Sequence, residues 1–195
     1  MLQNGHIKDS ATAIILAGGK ALRFGSDKSL ISINGKSMIE HIAGQLRPHF
    51  SNILIGANDT QKFSFLGYRV IPDKKKGCGP LMGILSCLEQ SDTELNFIVG
   101  CDIPNIDMHF VEKMLYEAED YDIVIPQTGV GFIEPLFAIY KKTVLSHIQD
   151  ILYNLKERRI RVLFDRVRTK YINIEKTGWY RNINTKKDFS DFLNS

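Results

Sequence analysis

The stretch "TAIILAGGKALRFGSDKSL", Thr12–Leu30, joins an apolar run to a loop that is rich in glycine and in cations. Apolar side chains at successive positions predict a strand over Thr12–Ala17 that is buried on both faces. The glycines that follow let backbone N–H groups approach an anion without hindrance from a Cβ atom. Arg23 can offer a planar fork to phosphate oxygens, and Lys28 a mobile point charge. The stretch therefore predicts a phosphate-binding loop, with a solvated glycine-rich turn as the alternative.

Short apolar runs alternate with helical periodicities along the chain. Runs such as "FIV" and "IVI" are apolar at successive positions, so we expect strands covered by helices on both faces. The predicted strands are Thr12–Ala17, Asn52–Gly56, Arg69–Ile71, Asn96–Gly100, Asp122–Ile125, Phe132–Tyr140 and Tyr171–Ile174. The predicted helices are Ser37–Arg47, Leu81–Glu89, Met108–Glu119, Thr143–Leu155 and Lys186–Leu193. This order predicts an α/β fold with a three-layer, mostly parallel, Rossmann-like sheet, whose ligands bind beyond the carboxyl ends of the strands.

Length and composition fit one globular domain. A chain of 195 residues can bury a full core, and a net charge of +3 is too small to indicate a nucleic-acid-binding protein. Residues 1–10 are expected to be a disordered lead-in, so that a single domain spans 11–195. No apolar run is long enough to cross a membrane. Cys78, Cys87 and Cys101 have neither metal-site nor disulfide spacing, which favours a reducing, cytoplasmic setting.

Polar residues follow three of the predicted strands. Gly56 and Asn58 follow the second strand, and the Asn58 amide can either read a purine edge or cap a turn. Asp73 follows the third strand, where its carboxylate can contact a ribose or accept from guanine N–H groups. Asp102 follows the fourth strand, and Asp107 is better placed to cap the next helix. A carboxylate that faces a triphosphate needs a cation, so Asp102 is the candidate Mg²⁺ ligand.

The second half of the chain carries further polar groups. Glu134 lies in the apolar run "GFIEPLFAIY", where a buried acid must either face a ligand or pair with an arginine. The stretch Lys156–Lys170 holds seven Lys or Arg against two acids, for which a solvated face is the usual explanation. Asn182 and Asn184 are two residues apart and share one face of an extended segment, and Thr185 is placed to cap the last helix.

Two segments resemble a known family. The segment "LAGGKALRFGSDKSL", Leu16–Leu30, closely resembles the signature LAGGxxxRxGxDKxL of the molybdenum cofactor guanylyltransferases. The ending "WYRNINTKKDFSDFL" is similar to that family's FxNxNTPEDL, with Lys186 and Lys187 in place of its Pro-Glu helix start. The resemblance covers almost the whole chain. It implies the nucleotidyltransferase fold, with a nucleotide half over about 11–105 and an acceptor half over about 106–195.

The same resemblance implies a role for each candidate residue. Arg23, Lys28 and Asp102 correspond to the catalytic residues, and Asp102 to the metal ligand. The residues implied in GTP binding are Leu16, Ala17, Gly18, Gly19, Lys28, Gly56, Asn58, Asp73, Gly79 and Asp102. Those implied in acceptor binding are Glu134, Asn182 and Asn184. Part of the basic stretch is expected to attract the acceptor, which is anionic.

The activity implied by the resemblance is transfer of GMP from GTP to the phosphate of molybdopterin, with Mg²⁺ as cofactor and pyrophosphate as the leaving group. The implied partners are GTP, molybdopterin, and proteins that deliver the cofactor or mature molybdoenzymes, with no nucleic acid and no membrane. Two alternatives stay open. One is a molybdopterin cytidylyltransferase or a sugar-phosphate nucleotidyltransferase, and the other is a non-catalytic nucleotide- or cofactor-binding chaperone.

Overall fold

One seven-stranded sheet forms the centre of the molecule. In the computed structural model, the residues that the structure describes are 7–18, 27–128, 131–174 and 181–194. The strands of the sheet are β1 Ala11–Leu16, β4 Asn52–Gly56, β5 Arg69–Ile71, β6 Leu95–Gly100, β7 Ile123–Gln127, β8 Phe137–Lys141 and β9 Thr169–Asn173. Their order is β5-β4-β1-β6-β8-β7-β9, and neighbours are parallel except at β8, which runs antiparallel to β6 and β7. The predicted mostly parallel sheet is confirmed.

Helices cover both faces of this sheet. They are α1 Ile7–Ser10, α2 Met38–Leu46, α3 Pro80–Gln90, α4 Met108–Glu117, α5 Leu145–Gln149, α6 Arg161–Phe164 and α7 Lys186–Leu193. Shorter helical segments are the 3-10 turns Lys28–Leu30, Ser64–Leu66 and Lys142–Val144 and the π-helical turn Asp150–Asn154. Among the helices that the structure describes, none is long and apolar enough to cross a membrane.

The core has two parts, one on each face of the sheet. Ala13 and Ile15 of β1 pack with buried residues of α2 and α4, whereas Ile14 and Leu16 pack with those of α3, α5 and α6. Successive side chains of a strand point to opposite faces, so an unbroken apolar run is what a strand between two helical layers requires. The apolar runs of the sequence therefore predict the three layers correctly.

The parallel register brings four strand ends to one edge of the sheet. Leu16 at the end of β1 is aligned with Gly56 of β4 and with Gly100 of β6, and Gly56 is aligned with Ile71 of β5. Because β8 is antiparallel, its first residue, Phe137, lies near the same edge, opposite Val99. The segments that follow β1, β4, β5 and β6, and the one that precedes β8, therefore meet at one place.

Side-chain caps set the helix starts as the sequence predicts. Asp107 accepts hydrogen bonds from the N–H groups of His109 and Phe110 at the start of α4, at 3.0 and 3.2 Å. Thr185 caps α7 in a reciprocal arrangement with Asp188, and Lys186 and Lys187 form the first turn of the helix.

The predicted strand Phe132–Tyr140 is wrong in its first half. The ladder begins only at Phe137, because Glu134 and Pro135 lie in a turn in which the Phe137 N–H donates to the Glu134 carbonyl at 3.1 Å. Pro135 has no N–H and cannot donate to a ladder. Glu134 therefore precedes the strand at the sheet edge and is not inside it.

Other segments also differ from expectation. Residues 7–10 of the expected disordered lead-in form α1, while 1–6 lie outside the described residues. The hairpin of β2 Ser32–Ile33 and β3 Lys36–Ser37 was not predicted, although its Asn34-Gly35 turn, with positive φ at both residues, is a common hairpin signal. The predicted helix Thr143–Leu155 begins as a 3-10 turn and ends as a π-helical turn.

We expect Asp122→Ala to destabilise the fold by about 1–2 kcal/mol at neutral pH, since its carboxylate joins three segments. It accepts from Thr143 Oγ1 at 2.9 Å and from the Arg168 backbone N–H at 3.0 Å. Burial by itself would raise the pKa of Asp122. These hydrogen bonds and the Arg168 guanidinium outweigh that effect and hold the pKa below its ordinary value of 3.8. The stabilisation is therefore present above that value and lost as the pH falls through the lowered pKa.

Urea unfolding at several pH values measures this difference, with the exposed Asp120→Ala as the control. Equal destabilisation of both variants, or a difference that persists in strong acid, would contradict the assignment.

Candidate active site

A pocket of about 190 Å³ lies at the sheet edge where the strand ends meet. Its lining residues come from the end of β1, from the turn that carries Lys28, from the end of β6, and from the turn before β8. They are Leu16, Ala17, Gly18, Asp27, Lys28, Ser29, Gly100, Cys101, Asp102 and Leu136. The structure thus brings together five of the predicted nucleotide-site residues, from three separate parts of the chain: Leu16, Ala17, Gly18, Lys28 and Asp102.

Lys28 is held by the C-terminal segment of the chain. Its Nζ donates to the Ile183 carbonyl at 2.8 Å and to Asn184 Oδ1 at 3.0 Å. Both acceptors are neutral, so these bonds orient the ammonium group without cancelling its charge. An ammonium group has three N–H donors, which leaves one for a ligand in the pocket.

Asp102 lies beside this lysine at the end of β6. Burial raises the pKa of Asp102 above its ordinary value of 3.8, against the opposing effects of its own backbone N–H and of Lys28. Gly100 makes room for the carboxylate, because a Cβ atom there would lie 2.6 Å from Asp102 Oδ1. A half-buried carboxylate in a pocket wall is stabilised by a cation that enters the pocket.

The donor set fits a Mg²⁺ ion shared with a ligand. Mg²⁺ takes one or two protein carboxylates and completes its shell with water and phosphate oxygens. Asp102 and Asp27 line the same pocket. Among the described residues, no group of three or more His, Cys, Asp or Glu side chains could enclose a metal by itself.

Asn58 and Asp73 form a pair at the ends of β4 and β5. Asn58 Nδ2 donates to Asp73 Oδ2 at 2.8 Å, and the Asp73 backbone N–H donates to Asn58 Oδ1 at 3.2 Å. The Asn58 amide is thus engaged on both of its polar atoms and acts as an orienting group for Asp73. The second carboxylate oxygen, Oδ1, lies 3.4 Å from the Cβ position of Gly83 in α3.

Two predicted glycines of the nucleotide site have structural reasons of their own. A Cβ atom on Gly56 would lie 2.5 Å from Leu16 Cδ2 and 2.9 Å from Cys87 Sγ, so packing between β1 and α3 excludes any side chain. Gly79 has a φ of 76° and caps the start of α3, a conformation that side chains rarely adopt. These contacts account for both glycines whatever their relation to a ligand.

The acceptor candidates form a second cluster. Asn182 Nδ2 donates to Glu134 Oε2 at 2.8 Å, and the Ile183 N–H donates to the Asp102 carbonyl at 2.7 Å. Together with the bond between Asn184 and Lys28, these contacts fix 182–184 across the pocket edge. Glu134 and Asn182 thus lie in contact, whereas Asn184 contacts Lys28 of the nucleotide half, which the sequence did not indicate.

Much of the basic stretch is engaged in structural contacts. Arg159, Arg166, Arg168 and Lys170 pair with Glu157, Asp150, Asp122 and Glu117, respectively. Arg158 Nη1 donates to the Gly77 carbonyl at 2.8 Å, in the loop before α3. Outside this stretch, the exposed Lys74 pairs with Glu89.

Two predicted residues of the glycine-rich loop, Gly19 and Arg23, lie outside the described residues. Five pocket residues were not predicted from the sequence, and two of them, Gly100 and Asp27, have a clear role. Gly100 leaves room for the Asp102 carboxylate because it has no side chain, and this requirement becomes visible only in the fold. Asp27 caps the turn of Lys28, and its position directly before that lysine was a readable signal.

Comparisons with known proteins identify the family of this chain. Residues 13–170 match the family model described as MobA-like NTP transferase domain. The chain is 33% identical over 189 residues to a probable molybdenum cofactor guanylyltransferase of Carboxydothermus hydrogenoformans, covering 93% of this chain and 94% of that protein. It is 34% identical over 183 residues to the molybdenum cofactor guanylyltransferase of Vibrio parahaemolyticus, covering 92% and 93%.

A solved structure agrees in fold. Molybdopterin-guanine dinucleotide biosynthesis protein A from Archaeoglobus fulgidus has a TM-score of 0.80 at 23% identity, covering 94% of this chain and 97% of that one. The identity over nearly full length and the match of the family model together show that this chain belongs to the MobA-like NTP transferase family, with molybdenum cofactor guanylyltransferases as its relatives.

Proposed function

We propose that this protein transfers GMP from GTP to the terminal phosphate of molybdopterin and releases pyrophosphate. The observation that carries the proposal is that Lys28 and the half-buried carboxylate of Asp102 line the same pocket. Lys28 keeps its charge there because its partners are neutral oxygen atoms. A cation and a metal-binding carboxylate at the carboxyl edge of a parallel sheet suit a triphosphate. The names of the relatives supply the acceptor and the base.

The reaction needs no protein nucleophile. A phosphate oxygen of the acceptor attacks the α-phosphorus of GTP, and the bond to the bridging oxygen of the β-phosphate breaks. Lys28 donates to the phosphate oxygens on which negative charge develops, and Asp102 would hold the metal. Mg²⁺, when bound, neutralises phosphate oxygens and polarises the phosphorus that is attacked. The contribution of the chain is positioning and charge stabilisation.

We propose that Asp73 reads the base. The Asn58 amide donates to Asp73 Oδ2 and accepts from the Asp73 backbone N–H, which leaves Asp73 Oδ1 to accept from a ligand. Guanine offers adjacent N1–H and N2–H₂ donors, whereas adenine and cytosine do not offer this pair. The acceptor then occupies the side of Glu134 and Asn182. The three free, buried cysteines are compatible with the cytoplasmic setting that we propose for the reaction.

A nucleotide panel tests the proposal. The protein is incubated with molybdopterin, Mg²⁺ and one of GTP, CTP, ATP or UTP, and pyrophosphate release is measured. We expect pyrophosphate release only in the reaction that contains GTP. Preference for CTP would indicate a cytidylyltransferase, and nucleotide binding without any release would indicate the chaperone alternative.

The contact between Asn184 and Lys28 changes what a substitution should do. A residue that binds only molybdopterin would affect only the use of molybdopterin. Asn184→Ala, however, removes one of the two oxygen atoms to which the Lys28 ammonium group donates. We expect kcat/KM for GTP to fall about tenfold, the size of one orienting hydrogen bond.

Steady-state kinetics with GTP as the varied substrate measure this effect. Asn194→Ala, an exposed asparagine at the end of α7, is the matched control and should leave the rate unchanged. A loss confined to the KM of molybdopterin would show that Asn184 serves the acceptor alone.

A further inference from the structure

Asp27 determines the conformation of the turn that presents Lys28. Its carboxylate accepts from the Ser29 N–H at 3.0 Å and from Ser29 Oγ at 2.5 Å, and its carbonyl accepts from the Leu30 N–H at 3.2 Å. The 3-10 turn Lys28–Leu30 therefore starts from this cap. Asp27 also lines the pocket in which we expect the phosphates.

Lys62 forms an ion pair with this same carboxylate, from the connection between β4 and β5. The Lys62 backbone N–H donates to Asp59 Oδ1 at 3.1 Å, which fixes the start of its side chain. Its ammonium group lies 5.4 Å from the centre of the Phe63 ring, and Phe63 is buried. The Lys62 side chain is only 27% exposed, so it is held between an aromatic face and a carboxylate.

The charge of Lys62 matters because the pocket holds two carboxylates. Asp27 and Asp102 both line it. Two negative charges facing a triphosphate repel it unless cations balance them. Lys28 lies beside Asp102, and Lys62 neutralises Asp27.

A simple surface ion pair would contribute little to stability and nothing to the reaction. Three observations distinguish Lys62 from such a pair. Its partner is a cap with two further hydrogen bonds, its ammonium group has an aromatic contact, and its partner lines the pocket. Losing Lys62 would therefore displace Lys28, which is adjacent to Asp27, and would have little effect on the overall stability.

We propose that Lys62 is a positioning residue for nucleotidyl transfer, which neutralises Asp27 and holds the turn that presents Lys28 to the nucleotide. This inference rests on the proposed function. The ion pair between Lys62 and Asp27 joins the loop that follows Asn58 to the turn of Lys28, so that two parts of the nucleotide site are fixed relative to each other.

The test compares Lys62→Met with Lys62→Arg, which retains the charge, and with Lys113→Met, an exposed lysine of α4, as control. GMP transfer, calorimetric titration of GTP, and amide hydrogen exchange of the peptide over residues 27–31 are measured. For Lys62→Met we expect about a tenfold higher KM for GTP, because the Asp27 charge is then unbalanced, a lower kcat, because Lys28 is displaced, and about tenfold faster exchange of that peptide. Lys62→Arg should keep GTP use and peptide exchange close to those of the wild type. Thermal melting should be similar in all variants.

Unchanged exchange and GTP affinity in Lys62→Met would overturn the inference. Faster exchange with unchanged kinetics would also overturn it, because Lys62 would then be structural only. If the wild-type protein forms no dinucleotide, the proposed function fails separately, and the GTP titration decides the inference. About tenfold weaker binding in Lys62→Met would then support it, and equal binding would contradict it.

Discussion

Asp102→Asn is expected to lose GMP transfer by a factor of at least about 10²–10³ while remaining folded. Asparagine keeps the size of the side chain, so the space that Gly100 provides stays filled. It removes the charge that would hold the metal. Because burial raises the pKa of Asp102, the charged form is disfavoured in the folded protein. Removing the charge should therefore not lower the melting temperature at neutral pH.

The measurement is single-turnover transfer across a Mg²⁺ series, with a thermal melt of each sample. Asp165→Asn, an exposed acid after α6, is the control and should behave as the wild type. Full Mg²⁺-dependent activity in Asp102→Asn would show that another carboxylate binds the metal. Asp27, on the same pocket wall, would be the first to test.

Lys28→Ala is expected to lose about 10²-fold or more in kcat, with a smaller change in the KM for GTP. The physical reason is that negative charge builds up on the leaving pyrophosphate, so a cation contact is stronger in the transition state than in the bound substrate. The variant also loses the bonds to Ile183 and Asn184, so the C-terminal segment must be shown to remain in place.

Hydrogen exchange of residues 181–194 provides that check, and Lys113→Ala is the control for loss of one lysine. A kcat close to that of the wild type would contradict the assigned role. An equal loss of activity in which the C-terminal segment exchanges freely would assign Lys28 to anchoring that segment.

The sequence predicted the fold well because its strongest signals are local. Unbroken apolar runs such as "AIIL" indicate strands between two helical layers, and residues such as Asp107 and Thr185 mark helix starts within a few positions. Glu134 was misplaced because its apolar neighbours have strand composition, while the turn at Pro135 depends on how β8 meets β6.

The site was predictable only residue by residue. Lys28, Asp73 and Asp102 stand at strand ends or in the glycine-rich loop, where residue type and position indicate phosphate, base and metal chemistry. The contacts between them were not predictable. That Asn184 contacts Lys28, or that Lys62 contacts Asp27, follows from the packing of segments that are 156 and 35 residues apart. Neither spacing has a sequence pattern.

The most direct test of the account is to identify the product. Wild-type protein is incubated with GTP, Mg²⁺ and molybdopterin, and the mixture is analysed by mass spectrometry alongside reactions with CTP and without Mg²⁺. We expect molybdopterin guanine dinucleotide, with pyrophosphate in equal amount, only in the reaction that contains GTP and Mg²⁺. A cytosine dinucleotide instead, or bound GTP that is never converted, would contradict it.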